Sequence, residues 1–355
     1  MSIALITGSC GLVGLETSYF FSKKGFKVVG VDNDMRKYFF GNEASTHKYL
    51  EKLKRDILDY EHYDIDIRDK ILLEKIFSKY HKDIAIVIHV AAQPSHDWAA
   101  KDPHLDFQIN ANGTLNLLDL TKKYCPEAVF IYASTNKVYG DEPNNLPLAE
   151  RKTRFEISKG HKYYKGINED MGIDKSMHSL FGVSKLAADI LVQEYGLYFG
   201  MKTVCFRAGC ITGSFHCPAQ FHGFLSYLIK CFVLKIPYSI IGYRGKQIRD
   251  NIHSWDLVNA FWQFFKSPKK GEVYNIGGGR DNSISVLETI KFLEDTTKRK
   301  MKTSYIPVNR KGDHMWWITD FSKFKSHYPL WSLKYSLNEI IDEIYQDQKV
   351  KQQVV

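Results

Sequence analysis

The chain opens with a strand-sized apolar run, Ile3-Ala4-Leu5-Ile6, that passes directly into Thr7-Gly8-Ser9-Cys10-Gly11-Leu12-Val13-Gly14. Apolar residues then recur at helical spacing, at Leu12, Leu15, Tyr19 and Phe20. Strand, glycine turn and helix in that order leave few architectures open. The short apolar run suits a buried parallel strand. Glycines at 8, 11 and 14 allow a tight turn and close backbone approach to a pyrophosphate, and the helix start offers N–H groups and a positive dipole end. A second apolar strand, Lys27-Val28-Val29-Gly30-Val31, ends at Asp32, where a carboxylate can accept from both hydroxyls of an adenosine ribose. The same carboxylate repels a 2′-phosphate, and the nearest arginine is Arg36, so NAD is expected rather than NADP. Gly8, Cys10, Gly11, Leu12, Val13, Gly14, Asp32 and Asn33 are the candidate cofactor contacts of this region.

Strands and helices go on alternating. Ile84 to Val90 is a near-continuous apolar strand, residues 107–124 read as an amphipathic helix, and Val129 to Ala133 is a further strand. This order predicts an α/β chain: a Rossmann-like, doubly wound parallel sheet with helices on both faces and ligands at the C-terminal strand ends. Asp66, Gln93 and Thr135 are site candidates by that position. From about residue 208 the pattern loosens into helix-rich segments, at 218–235, 256–266, 283–295 and 336–349. The expected division is therefore 1–207, mainly cofactor-binding, and 208–355, a smaller substrate-binding α/β region, with later segments free to return to the sheet.

Composition narrows the function classes. The chain has 355 residues, 44% hydrophobic and 25% charged, which is ordinary for a globular protein. The net charge of +9 is distributed and forms no basic block or tail. It suits an anionic small substrate, such as a nucleotide diphosphate, at least as well as nucleic acid, and the aromatics fall into no nucleic-acid motif. Six cysteines lack C-x-x-C spacing and read as reduced cytoplasmic thiols; Cys210 and Cys217 with His216 and His222 fit no zinc template, so no metal is expected. The first residues enter a strand at once and no apolar run approaches ~20 residues, so neither a signal peptide nor a membrane span is expected.

Taken together, these motifs resemble the extended short-chain dehydrogenase/reductase family, the NAD-dependent nucleotide-sugar epimerases and dehydratases. The resemblance runs from residue 3 to about 320. It is carried by Thr7-Gly8-x-x-Gly11-x-x-Gly14, Asp66-Ile67, Asn110-Ala111-Asn112-Gly113-Thr114, Ser134-Thr135 through Val138-Tyr139-Gly140, Phe181-x-x-x-Lys185, Arg249-Asp250-x-x-His253 and Tyr274-Asn275-Ile276-Gly277. Within that family, Ala92-Gln93-Pro94-Ser95-His96-Asp97, Ser134 to Asp141 and Gly242 to Asp250 look most like the CDP-paratose (CDP-tyvelose) 2-epimerases. The resemblance adds Asp66, Ile67, Ala91, Ala92, Gln93, Asn110, Ser134 and Lys185 to the cofactor contacts. It implies a nucleotide-diphosphate sugar, most specifically a CDP-hexose, as substrate, epimerised at C2 through a 2-keto intermediate. A homodimer or higher homo-oligomer is also implied. Dehydratases of the family carry Asp-Glu where this chain has Asn136-Lys137; Asn cannot serve as a carboxylic acid and Lys reverses the charge, so water elimination by that route is disfavoured.

The frame that in this family holds Tyr, three residues and Lys reads Phe181-Gly182-Val183-Ser184-Lys185. The lysine is present and the phenol is not. The resemblance gives Lys185 the nicotinamide ribose and Thr135 the reacting oxygen. Three readings follow for Phe181. Another group carries the proton, with Tyr163, Tyr164, His178 and Cys210, or Thr135 through a water, as candidates. Or the chain binds without turning over, as an NAD or sugar-nucleotide sensor. Or the frame is displaced, which Ser184-Lys185 argue against. The connection 141–180, rich in Lys, Glu, Asp and Tyr, is long enough to be a lid or an oligomer contact. Gln93, Ser95, Thr135, Asn136, Lys137, Arg207, Gly209, Arg249 and Asp313 are the candidate substrate contacts. Arg249 can bind a diphosphate through two parallel hydrogen bonds. Lys246 and Arg280 are weaker basic candidates. Trp316 or Trp317 could stack on a pyrimidine, although adjacent tryptophans more often mean that one packs inward, and His253 reads as structural. Another reaction of the same fold, a 4-epimerisation or an oxidation, is the rival within the enzyme class.

Overall fold

The computed structural model describes residues 1–217, 223–310 and 312–353. The chain forms two compact units. The first comprises Met1–Val138, Ser179–Arg207 and Val258–Tyr274, and the second Tyr139–His178, Ala208–Leu257 and Asn275–Val355.

The first unit is built on a seven-stranded sheet. Its first five strands are β1 (Ile3–Thr7), β2 (Lys27–Val31), β3 (Tyr60–Tyr63), β4 (Ile84–His89) and β5 (Val129–Thr135). The spatial order is Glu272–Ile276, Thr203–Ala208, β5, β4, β1, β2, β3. The pairings β5–β4–β1–β2–β3 are all parallel. The direction of winding changes at β1, so the crevice beyond its end is where ligands of this architecture bind. β1 is buried along its whole length, as its unbroken apolar run requires. A fully buried histidine ties the central strands together: His89 Nδ1 lies 2.7 Å from Thr7 Oγ1, and Nε2 lies 2.9 Å from Thr114 Oγ1. Because Thr114 donates to Asn110 O, it accepts from Nε2–H, and Nδ1 accepts from Thr7. Burial, with the Lys185 charge second, pushes this imidazole down to about 3, so it is a neutral strut.

The helix read at 107–124 starts earlier. Pro103–Phe107 leads through a π turn, Gln108–Asn112, into Gly113–Tyr124. Asp102 caps its start by accepting from Leu105 N–H, and proline at the first helical position fits the missing donor. The π turn re-aims Asn110, a distortion that periodicity cannot report.

The second unit holds a sheet ordered Ser283–Ser285, Ile248–His253, Trp316–Trp317, with Cys210–Thr212 also paired to Ile248–His253. The helix expected from 283 begins as that strand, and Ser285 then forms a capping box with Glu288 that starts Val286–Thr297. The segment expected as a helix over 218–235 is helical at Phe224–Leu234; positions 218–222 lie outside the described residues. The 139–178 segment is laced into this unit by backbone bonds, from Ile167 N to Ile318 O at 2.7 Å and from Phe155 N to Lys246 O at 3.0 Å. Among the described residues no helix is long and apolar enough to cross a membrane.

One close approach fixes the helix on which the Phe181 frame lies. A Cβ on Gly196, in the Ser179–Phe199 helix, would sit 2.2 Å from Gly271 N and 2.3 Å from Thr203 Oγ1. Backbone cannot yield at that distance. Gly196→Ala is therefore expected to cost about 1–3 kcal/mol in urea unfolding, the range of an overpacked core; an unchanged midpoint would contradict the packing.

Candidate functional site

The glycine turn is shaped by three separate demands. Gly8 has φ +69°, and a Cβ there would lie 2.8 Å from Ala91 N. A Cβ on Gly14 would lie 2.0 Å from Gly8 O, so helix and turn touch only because no side chain intervenes. Gly11 is different: among the described residues its Cβ would meet only Gly8 O, at 3.4 Å. Gly11 is also the N-cap of the Leu12–Lys23 helix and supplies no side-chain cap. The open side at Gly11, with half-buried Leu12 and Val13 following, leaves room for a phosphate against the helix start.

Asp32 follows β2. It accepts from Cys10 N–H and Asp34 N–H, each at 2.9 Å, so the carboxylate clasps the glycine turn to its own loop. Burial raises its pKa, and these two donors oppose the rise. The neighbouring Cys10 thiol is pushed up to about 12 by burial, with Asp32 adding to the effect, and stays protonated. Asn33 donates to Asp66, which also holds the Arg68 guanidinium in a two-pronged pair. Asn33, Asp34, Tyr38, Asn42, Asp66 and Arg68 line an open hollow of about 570 Å³. Buried Ile67 closes against Gly113, where a Cβ would fall 2.6 Å from it. Arg36 is turned onto the Phe40 ring at 4.9 Å. An open turn before a helix start, a carboxylate at the next strand end and a hollow beyond it fit an adenine dinucleotide.

The Lys185 end is more heavily buried. Lys185 is 4% exposed; its Nζ donates to Ala133 O at 2.9 Å and lies 4.2 Å from the Tyr132 ring centroid. Burial lowers its pKa to about 8, with Asp189, Cys205 and Asp106 opposing. Asp189, one turn further along the same helix, is fully buried and accepts from Arg207 Nε (3.1 Å) and Nη2 (2.7 Å) and from Ser134 Oγ (2.5 Å). At the end of β5, Thr135 Oγ1 accepts from Lys137 N–H and donates to Asn136 Oδ1, both at 3.3 Å.

Several expected ligand contacts turn out to have their side chains committed inside the unit. Arg207 and Ser134 hold Asp189, and so brace the helix. Gln93 donates to Asp106 and Ser95 O and accepts from Ser95 N–H. Ser95 Oγ caps the His96–Lys101 helix by accepting from Trp98 N–H. Asn110 Nδ2 reaches Gln93 O, Asp106 and Ser184 Oγ, and its Oδ1 accepts from Gln93 N–H. Asp106, which no motif singles out, sits at the centre of this network, with burial raising its pKa to about 6. Ala91 and Ala92 remain half-buried beyond β4.

The Phe181 ring is 7% exposed and meets the His96 imidazole edge-on, with centroids 4.9 Å apart and planes at 61°. His96 Nδ1 lies 2.9 Å from Ser179 Oγ. Positions 96 and 181 are too far apart in the chain for local pattern to pair them.

In the second unit, Arg249 is buried and pairs with Asp313, while Asn144 donates to Asp313 O. Two expected substrate residues thus meet each other. A Cβ on Gly209 would lie 3.0 Å from the Trp317 indole nitrogen. Trp316 and Trp317 are both fully buried, so neither presents a face for a base; Trp317 stacks on Tyr139 and His314. Tyr164 lies under the Arg280 guanidinium at 4.1 Å, and Arg280 pairs with Glu156. Lys246 pairs with Glu150. His178 Nδ1 lies 2.9 Å from Ser176 O, and His253 stacks on Tyr335 and meets Glu343. Cys210 is half-buried in its strand.

The fold and the glycine turn define a dinucleotide-binding α/β protein. The model of the "NAD dependent epimerase/dehydratase family" matches residues 4–277. The chain is 32% identical over 349 residues to the CDP-paratose 2-epimerase of Salmonella typhi, covering 96% of this chain and 97% of that protein. It is 29% identical to the UDP-glucuronate 4-epimerase of Thermodesulfobacterium geofontis, over 92% and 90% of the two chains. The structure of the Thermus thermophilus UDP-glucose 4-epimerase in complex with NAD superposes with a TM-score of 0.78, at 21% identity and over 98% and 99% of the chains, and shares the fold. The chain belongs to the NAD-dependent epimerase/dehydratase family of enzymes, and NAD is its cofactor.

Two outcomes follow. Asp32→Ala removes the acceptor that clasps the turn and is expected to weaken NAD binding about tenfold or more by fluorescence titration, the scale of a lost hydrogen bond to a charged group; unaltered affinity would contradict the assignment. Lys185 has a folded pKa of about 8 against an ordinary 10.5. Between those values the unfolded chain binds a proton that the folded chain has released, so stability rises with pH across the window. Below pH 8 both states are protonated and the burial cost stands in full. NAD-free wild type should therefore gain about 3 kcal/mol relative to Lys185→Met between about pH 8 and 10.5 in denaturant titrations; a flat difference would contradict it.

Proposed function

We propose that the chain is an NAD-dependent nucleotide-sugar epimerase acting at C2 of a CDP-hexose. The observation that carries this reading is the Lys185 ammonium bonded to Ala133 O in β5, the strand that ends at Thr135 and is followed by Asn136 and Lys137 in place of carboxylates. The similarity to a CDP-paratose 2-epimerase along nearly the whole chain supports the base and the carbon. The similarity to a UDP-glucuronate 4-epimerase keeps 4-epimerisation as the rival.

The glycine turn, Asp32 and the hollow beside Asn33 would hold the adenosine diphosphate half of NAD, and Lys185 would face the nicotinamide ribose. When bound, NAD supplies reversible hydride acceptance, which takes a sugar carbinol through a ketone and back. Lys185 contributes positive potential that favours release of a proton from a nearby hydroxyl. Thr135 Oγ1 positions the reacting oxygen. The Asn136 amide is far too weak an acid to protonate a leaving hydroxyl, and Lys137 cannot act as the carboxylate base of an elimination, which favours epimerisation over dehydration. Arg249 would take the diphosphate, exchanging Asp313 for phosphate oxygens. The exposed Leu180, Val183, Leu197 and Tyr198 on the Lys185 helix support a homo-oligomer, and the free thiols support a cytoplasmic setting.

Phe181 favours one second reading, a chain that binds NAD and sugar nucleotide without turnover. Incubation of the purified protein with CDP- and UDP-hexoses in deuterated water, followed by NMR at C2 and C4, separates the two. Inversion at C2 of the CDP-hexose without deuterium at carbon is the expected result. Inversion at C4 alone, or binding with no inversion, would overturn it.

A further inference from the structure

We propose that His96 carries the proton of the reacting hydroxyl, the task left open by Phe181, and that Ser179 positions its ring. The inference rests on the epimerase reading above.

The geometry lies within the first unit. Phe181 and Lys185 are four residues apart on one helix and so share a face. Phe181 is buried, and the imidazole of His96 sits against its edge at 4.9 Å. An apolar ring here leaves no phenol to compete for the proton and gives the imidazole a fixed wall. Imidazole exchanges protons near neutrality without the help from a cation that a phenol needs.

Ser179 engages the ring at Nδ1. Its Oγ accepts from Gly182 N–H at 3.3 Å and lies 2.9 Å from His96 Nδ1. The residue has φ +57°, a left-handed conformation unusual for serine. Glycine would fit that backbone without strain, yet a hydroxyl is present and engaged with the imidazole. Backbone strain that persists at a site points to a positioned group. Ser95, immediately before His96, caps the short helix that carries it, and Gln93 is locked by Asp106 and Ser95, so the loop delivering His96 is anchored at its base.

The step balances. The sugar O–H bond breaks and an imidazole N–H bond forms, while the carbon-bound hydrogen leaves with its electron pair for oxidised nicotinamide. On return, the pair re-forms a C–H bond and the imidazolium gives its proton back to oxygen. Neither the protein nor the cofactor is changed over a turnover.

Three variants of the NAD-loaded protein test this with CDP-hexose as probe: His96→Gln, His96→Gln with Phe181→Tyr, and Ser179→Gly. His96→Gln should lower kcat about 100-fold or more, the scale of general acid–base catalysis, with KM and bound NAD content little changed. Adding the phenol in the double variant should recover about tenfold or more of that loss. Ser179→Gly keeps the backbone conformation and should shift the tautomer signature of the His96 nitrogens in ¹⁵N NMR, with a smaller fall in kcat. Turnover of His96→Gln within about threefold of wild type overturns the proposal and leaves the epimerase reading intact. So does a loss accompanied by missing NAD and no recovery in the double variant. Wild type that turns over no CDP-hexose removes the epimerase reading itself, and the proposal with it.

Discussion

The burial of one ammonium group organises the first unit. Lys185 Nζ has left water for a place between the Ala133 carbonyl and the Tyr132 ring. Taking a charge out of water costs several kcal/mol unless other charges answer it. Asp189 supplies that charge one turn away, and Asp189 is itself buried only because Arg207 and Ser134 satisfy it. The helix is thereby fixed against two strands by paired charges, and Gly196 lets its far end touch backbone at Gly271. Phe181 sits on this helix at a place dictated by Lys185, so the missing phenol is a local chemical change in an intact frame.

The cofactor half depends on contacts that are equally unforgiving but steric in character. Gly8 and Gly14 allow backbone to meet backbone, and Asp32 clasps the resulting turn by accepting two N–H groups. The same carboxylate that would receive a ribose thus also builds the loop that would receive the phosphates. The structural role and the proposed binding role fall on one side chain, so replacing it is expected to disturb both.

Much of this is readable in the residue order. The glycines, Asp32 and the alternating apolar runs carry the parallel sheet, because close approach and burial leave direct marks on composition. Lys185 is legible as a frame position, though its full burial is not, since nothing in a helical stripe reports a charge partner that Arg207 in turn must satisfy. Gln93, Ser95 and Asn110 read as ligand contacts because strand-end position favours that role; their partners Asp106 and Ser184 come together only through the π turn and the packing of two helices. Trp316 and Trp317 look able to receive a base, and tertiary packing buries both. His96 is visible as part of a motif, but its meeting with Phe181 joins residues distant in sequence, and only the fold brings them together.

The claim on which the account turns is that this cofactor site is complete despite Phe181. Denaturing the purified protein and identifying the nucleotide released tests it most directly. The account predicts NAD, bound at a constant ratio to the chain and without NADP. Release of NADP, or a protein that neither carries NAD nor binds it when it is added, would contradict it.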